Sequence, residues 1–241
     1  MRTRMSALAV LALTVSMVAC GDGGETTQTT ASATTTTMAT ATTATTGTTL
    51  APEQLEAMLL AAADVGSGWK EGSPVNEMDF ADSMKFPCAD MGLNPTILAR
   101  ITPTVGVQFE PVDGSYKHMI EMMVSGEPTR LNTDLGFYFE GMQACAASTV
   151  TSTTTSAGDQ LTLKDFALPA IGDQRMATVG TGRESADSDA LWCVRSAVVR
   201  VGSVAVMVGV TEILSGSQTT PTISDADFVK LVTTAVERVG S

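Results

Sequence analysis

"ALWCVRSAVVRVGSVAVMVGVTEI", residues 190–213, is two apolar, valine-rich runs that meet at Gly202-Ser203. Glycine in the first position of a two-residue loop between valines fits a type II′ turn, a tight connection between antiparallel strands. The second run, Val204 to Val210, is almost wholly apolar, as expected of a central strand covered on both faces. The stretch therefore predicts a long hairpin at the heart of a sheet.

The flanking sequence supplies partners. Downstream, "SDADFVKLVTTAVERV" (224–239) places Phe228, Leu231, Val232, Ala235 and Val239 on one helical face. Ser224 with Asp227 three residues later resembles a capping box. Upstream, "TVGVQFEP" (104–111) alternates with period two, putting Val105, Val107 and Phe109 on one side. "VDGS" follows, and Asp-Gly is a strong hairpin signal before the next strand, "YKHMIEMMVSG" (116–126). Helical spacing returns over 133–147 at Leu135, Tyr138, Phe139, Met142 and Cys145. "STVTSTTTSAGDQLTLKDFAL" (148–168) reads as two strands around Ala157-Gly158, and 172–182 as another. The first pattern after the N-terminal region, "APEQLEAMLLAAADVGSGW" (51–69), predicts a helix with Pro52 in its first turn. Leu55, Met58, Leu59 and Ala62 share its face, and Gly66 and Gly68 end it. Residues 70–103 carry four prolines and read as irregular, with a short helix around Thr96–Arg100. The order of elements predicts an α+β fold, an antiparallel sheet packed with flanking helices.

Residues 1–50 carry no such pattern. Arg2 and Arg4 precede an uncharged run, Met5–Ala19, that is short of the ~20 residues a spanning helix needs. It fits a secretory signal peptide over 1–19. The run ends in "MVAC", which resembles a bacterial lipobox with Met17 where leucine is commoner, and Gly21-Asp22-Gly23-Gly24 follow. This reading makes Cys20 the lipidated first residue of the mature chain. Diacylglycerol supplies two acyl chains, enough for stable anchoring. Residues 25–50 hold 15 threonines in 26 positions and one charge, Glu25, so residues 20–50 read as a disordered linker. Residues 51–241 are left as one domain with a sizeable core.

Charge narrows the partners. The chain has 14 Lys+Arg and 26 Asp+Glu. Loss of Arg2 and Arg4 leaves 12 basic against 26 acidic residues, a net charge of about −14. Such a surface repels nucleic acid and anionic lipid head groups. The expected partners are the membrane, through the acyl anchor, and an unidentified small molecule or envelope component.

Residues that carry chemistry are sparse. His118 is the only histidine, on a predicted strand face with Ile120, Met122 and Val124. No zinc spacing, G-x-S-x-G elbow or complete phosphate loop is present. The expectation is no catalytic, metal or cofactor-binding set, and no enzyme. Cys88, Cys145 and Cys193 allow one disulfide in three ways, or none. The pairing favoured here is Cys88–Cys145, which ties down an irregular segment and leaves Cys193 a buried free thiol. Trp69 and Trp192 read as core residues able to line a cleft, and the many methionines read as scattered core filling.

"LLAAADVGSGW" (59–69), "FEGMQACAAS" (139–148), "LKDFALPAIGDQRMATV" (163–179) and "VRSAVVRVGSVAVMVGV" (194–210) together resemble a group of actinobacterial lipoproteins. Their folded part is similar to the extracellular sensor domain of the mycobacterial kinase PknH. The resemblance implies an exported domain with an antiparallel sheet, flanking helices and a ligand cleft. It also implies paired disulfides needing four cysteines, one more than residues 51–241 hold, and no kinase domain is present here. The combined expectation is a lipid-anchored lipoprotein on the extracytoplasmic face of the cell membrane, with a non-catalytic, sensor-like binding domain. The alternatives are a carrier of lipid or another apolar ligand, favoured by a large aliphatic cavity, and, further off, an envelope hydrolase.

Overall fold

The computed structural model describes residues 49–75, 105–146, 150–151, 160–183, 190–215 and 220–240. The leader, Cys20, most of the threonine-rich stretch, Cys88 and the short helix expected near Thr96–Arg100 lie outside them.

Eight strands form one antiparallel sheet: β1 (Trp69–Pro74), β2 (Val105–Pro111), β3 (Lys117–Ser125), β4 (Val150–Thr151), β5 (Gln160–Asp165), β6 (Gln174–Arg183), β7 (Leu191–Val201) and β8 (Val204–Leu214). Their order is β1-β2-β3-β8-β7-β6-β5-β4. Two meanders, β1–β3 and β4–β8, therefore meet where β3 pairs with β8. The helices among the described residues are α1 (Pro52–Glu56), α2 (Ala62–Val65), α3 (Pro128–Ala146) and α4 (Asp225–Val239). The fold is α+β, as the order of elements predicts.

β8 lies inside the sheet between β3 and β7, and its alternation explains its unbroken apolar run. Val204, Val206, Val208 and Val210 join the core under α4, with Phe228, Leu231 and Val232. Ala205 and Met207 join the core under α3, with Leu135 and Tyr138. Each fully buried valine, leucine or phenylalanine contributes about 1.5–3 kcal/mol. At the hairpin turn Gly202 has φ +59°, while Ser203 keeps a negative φ. That is the type II′ pattern; type I′ would need both residues positive.

α4 forms where expected, with the Ser224 hydroxyl accepting the Asp227 N–H at 3.1 Å. α3 begins at Pro128, earlier than its apolar period suggests. Glu127 supplies the cap, its carboxylate accepting the N–H groups of Thr129 (2.9 Å) and Arg130 (2.7 Å). Those bonds hold the carboxyl below its ordinary range.

Two expectations fail. The single helix over 52–65 is two short helices with a break at 57–61, because tertiary partners take the backbone there. Leu60 donates its N–H to Glu121 at 2.6 Å, and Arg238 donates to the Leu59 carbonyl at 2.6 Å. A continuous helix would use those groups itself. The irregular reading of residue 70 onward is also wrong at its start, since Trp69–Pro74 is an edge strand on β2. "WKEGSP" has no apolar alternation because an edge strand with charged residues need not bury a face.

Candidate functional site: a cleft beneath α3

Antiparallel register places residues of four strands side by side. On the α3 face, Met122, Met207, Val198 and Met176 form one row across β3, β8, β7 and β6. Ile120, Gly209, Ser196 and Thr178 form the next, and His118, Thr211, Val194 and Gly180 the third. α3 lies over β5, β6 and β8 on this face. Between it and the sheet is an open cleft of about 790 Å³, counting the solvent-filled space at its mouth, with room for water-sized centres of about 90 Å³. Tyr138 and Met142 from α3 and Leu163 from β5 wall it, and the three rows, apart from Met176 and Gly180 of β6, form its floor.

Gly209 opens the floor. It sits mid-strand between Met207 and Thr211, and a Cβ built there would meet nothing within 4 Å. Glycine inside a strand costs ~0.5–1 kcal/mol relative to alanine, and here the missing side chain is cleft space.

The lining is largely apolar. Its described polar groups are His118, Thr211, the Tyr138 phenol and a hydroxyl pair, Thr178 Oγ1 and Ser196 Oγ, 2.9 Å apart. Burial raises the Tyr138 pKa, keeping the phenol neutral. Arg195 borders the cleft only through its position on β7. Its side chain turns to the other face, where Nε and Nη2 donate to Asp225 Oδ1 at 3.0 and 2.9 Å. Ser196 and His118 stand two strands apart, ~10 Å at ordinary strand spacing. That is too far for the hydroxyl–imidazole bond of nucleophilic catalysis. Among the described residues no three His, Cys, Asp or Glu side chains gather as metal ligands.

The opposite face is tied by buried charge. Arg195 and Glu212 are each 2% exposed, with Nη1 and Oε2 3.9 Å apart. Glu212 also accepts the Thr222 N–H (2.9 Å), the Thr222 hydroxyl and the Ile223 N–H (3.3 Å). Nearer α2, Glu121 is fully buried, and its Oε2 takes the Leu60 N–H while Oε1 has no hydrogen-bond partner. Burial is the main cause that pushes its pKa up to about 7. A second groove on this face runs between α2, Trp69 and α4, where the Lys117 ammonium sits 5.1 Å above the Trp69 ring. Charged side chains from both sides rim it: Asp64, Lys117, Asp227 and Lys230.

Sequence reasoning found some of these residues and missed others. The face His118, Ile120, Met122 was legible, and its first three members do line the cleft. The methionines read as scattered core instead converge: Met122, Met142 and Met207 all line it. Trp69 borders the second groove and not the cleft. Gly209 was passed over; the available signal was a glycine and a threonine interrupting the apolar period of β8.

Cys193 is disulfide-bonded, so the expectation of a free thiol there is corrected. Cys193 is buried beside Leu214, and burial suits a bridge as well as a free thiol. Cys88 and the Cys145 side chain lie outside the described residues. A Cys88–Cys145 pair is compatible with a bridged Cys193 only if Cys193 takes Cys20, the residue read as the lipid site. Cys193 shares its strand face with Arg195, on the α4 side, whereas α3, which carries Cys145, lies over the other face. A non-reducing peptide map is therefore expected to recover Cys88 joined to Cys193. A Cys145–Cys193 peptide would refute the face argument, and a Cys20–Cys193 peptide would refute lipidation.

The class is thus an α+β domain with one antiparallel sheet, helices on both faces and a cleft under the longest helix. That fold is shared with the crystal structure of the extracellular domain of PknH from Mycobacterium tuberculosis. The TM-score is 0.55 at 15% identity, over 80% of this chain and 99% of that one. An uncharacterised Mycobacterium smegmatis protein, the Rv0999 ortholog, is matched over 79% of this chain and 95% of its own, at 11% identity and TM-score 0.38. No family model and no curated protein matches the chain. The PknH likeness at this identity is a likeness of fold, and it accords with the resemblance seen in the sequence. Among the described residues no helix is long and apolar enough to cross a membrane.

Proposed function

We propose that the chain is a lipid-anchored cell-envelope lipoprotein whose folded part is a non-catalytic, sensor-like binding domain with its ligand site in the cleft beneath α3. The cleft itself carries the reading: a formed, mostly apolar cavity, opened by a mid-strand glycine, with a few neutral polar groups on its floor. The fold shared with an extracellular domain supports placement outside the cytoplasm. The "MVAC" border supports an acyl anchor at Cys20, with the threonine-rich stretch as its tether.

The mature chain less its lipidated Cys20, starting at Gly21 and produced under oxidising conditions without the leader, is expected to bind the neutral dye Nile red saturably. Gly209→Val places a branched side chain on the cleft floor and should weaken that binding at least tenfold while leaving the urea midpoint close to wild type. Equal binding by a folded Gly209→Val chain would refute the cleft as the site. In the native host Cys20→Ala should leave the precursor uncut or free the protein from the membrane fraction. Unchanged fractionation and migration would refute the anchor.

The aliphatic lining also favours the carrier reading, in which the same cleft holds an apolar cargo in transit. Exchange of ligand into acceptor vesicles would mark a carrier; binding without transfer would mark a sensor.

A further inference from the structure

Resting on that reading of the cleft, we infer that its ligand is an uncharged amphipathic lipid: an apolar chain with a neutral head that carries hydroxyl or ester groups. The three rows of the floor differ in chemistry. The first is Met122, Met207 and Val198, and Met142 of α3 adds a further thioether to the lining. Methionine is unbranched and polarizable, so such a surface adapts to a flexible hydrocarbon without demanding one shape. The next two rows bring Ser196 and Thr178, then Thr211 and His118. The cleft is therefore graded along the strands, apolar at one end and hydrogen-bonding at the other, over two steps of ~6–7 Å.

The polar end selects by charge. Thr178 and Ser196 bond to each other at 2.9 Å. Two hydroxyls hold two protons, and their mutual bond uses one, so the pair retains a donor and acceptor lone pairs for a ligand. That is the equipment for a hydroxyl or an ester carbonyl. Among the described residues, His118 is the one basic side chain turned into the cleft. The Arg195 guanidinium, nearest along the backbone, is committed to Asp225 and Glu212 on the far face. Among the described lining residues no arginine or lysine side chain would replace the lost hydration of a carboxylate or phosphate head, and no carboxylate would meet an ammonium head. Gly209 lies between the two ends and clears the path that joins them.

The experiment is displacement of Nile red from the mature chain at pH 7.5 by 1-monomyristoylglycerol, myristate and tetradecylamine, each below its micellar concentration. The expected order has the monoglyceride displacing the dye at a concentration at least tenfold below either charged lipid. Ser196→Ala, and Thr178→Val with it, should reduce that preference about three- to tenfold per hydrogen bond lost; the single variant guards against misfolding in the pair. Myristate or the amine matching the monoglyceride would overturn the inference, as would an unchanged preference in folded Ser196→Ala. Dye binding that Gly209→Val abolishes but no lipid displaces would sink the lipid class and leave the cleft standing. Dye binding that ignores Gly209→Val would sink both.

Discussion

Replacing Arg195 with methionine is expected to destabilise the fold by about 3–5 kcal/mol, the usual cost of removing one partner from a buried ion pair. Arg195 and Glu212 are both almost fully buried, so the variant leaves a carboxylate in the core without its countercharge. Three hydrogen bonds from Thr222 and Ile223 remain on that carboxylate and hold the loss toward the lower end of the range. The Asp225 side chain is 35% exposed, so water screens its share and most of the loss falls on Glu212. Domains of this size are stable by only ~5–15 kcal/mol, which makes the change large on a urea titration. Adding Glu212→Gln should recover part of it, because the stranded charge goes with the partner. Affinity for Nile red per folded molecule should not move, since the Arg195 side chain faces away from the cleft. A loss under ~1 kcal/mol, or no recovery in the double variant, would show that the buried Arg195–Glu212 pair contributes little to the fold.

That network marks the boundary of what the sequence revealed. Periodicity reports which residues face a core, so β2, β3, β5 to β8 and α4 were legible, and so was the turn at Gly202. It does not report which strands are neighbours when they are distant in sequence. Arg195 and Glu212 are charged residues inside valine-rich strands; the β7–β8 register and the docking of α4 make them a buried pair. Glu121, in "HMIEMMV", falls off the face of His118, Ile120 and Met122, and nothing local in the strand marks that it lies under the 57–61 turn. The same limit explains the helix break at 57–61. Its cause is a side chain 61 residues away, outside any local window.

The site was legible only in fragments for a related reason. A cleft floored by four strands is a two-dimensional pattern, and each strand shows two or three of its positions. His118, Ile120 and Met122 were identified as one face, but nothing in β3 says that Gly209 and Ser196 continue the row across β8 and β7. The methionines are far apart in sequence and looked scattered until register placed three of them, Met122, Met207 and Met176, in one row. A glycine in a buried strand weakens that strand, so a reading aimed at core formation passes over it. In a binding protein such a glycine marks where a ligand fits.

Glu121 should make stability fall as pH rises. Its folded pKa of about 7 lies above the ~4.3 of an exposed glutamate. The folded state therefore holds the proton more tightly than the unfolded chain. Its contribution is complete below about pH 4.3 and is lost progressively as pH rises through 7. A gap of that size corresponds to a loss of about 3 kcal/mol between pH 4 and pH 8. Two charged groups bear on this carboxyl, Asp64 from α2 raising its pKa and Arg238 from α4 lowering it, and these two pair with each other at 2.6 Å. Desolvation outweighs both, together with the Leu60 N–H that favours the ionised form. Glu121→Gln keeps the volume and an oxygen for Leu60 but cannot ionise. Urea titrations at pH 5 and pH 8 should show the wild type losing about 2–3 kcal/mol more than the variant. The loss should be local first, with faster amide exchange at 57–61 in the wild type at pH 8, because opening that turn lets water reach the charge. Equal pH slopes for the two chains would mean that Glu121 titrates like a surface carboxylate. The turn between α1 and α2 would then rest on Arg238 and the apolar contacts of Leu55 and Leu60 alone.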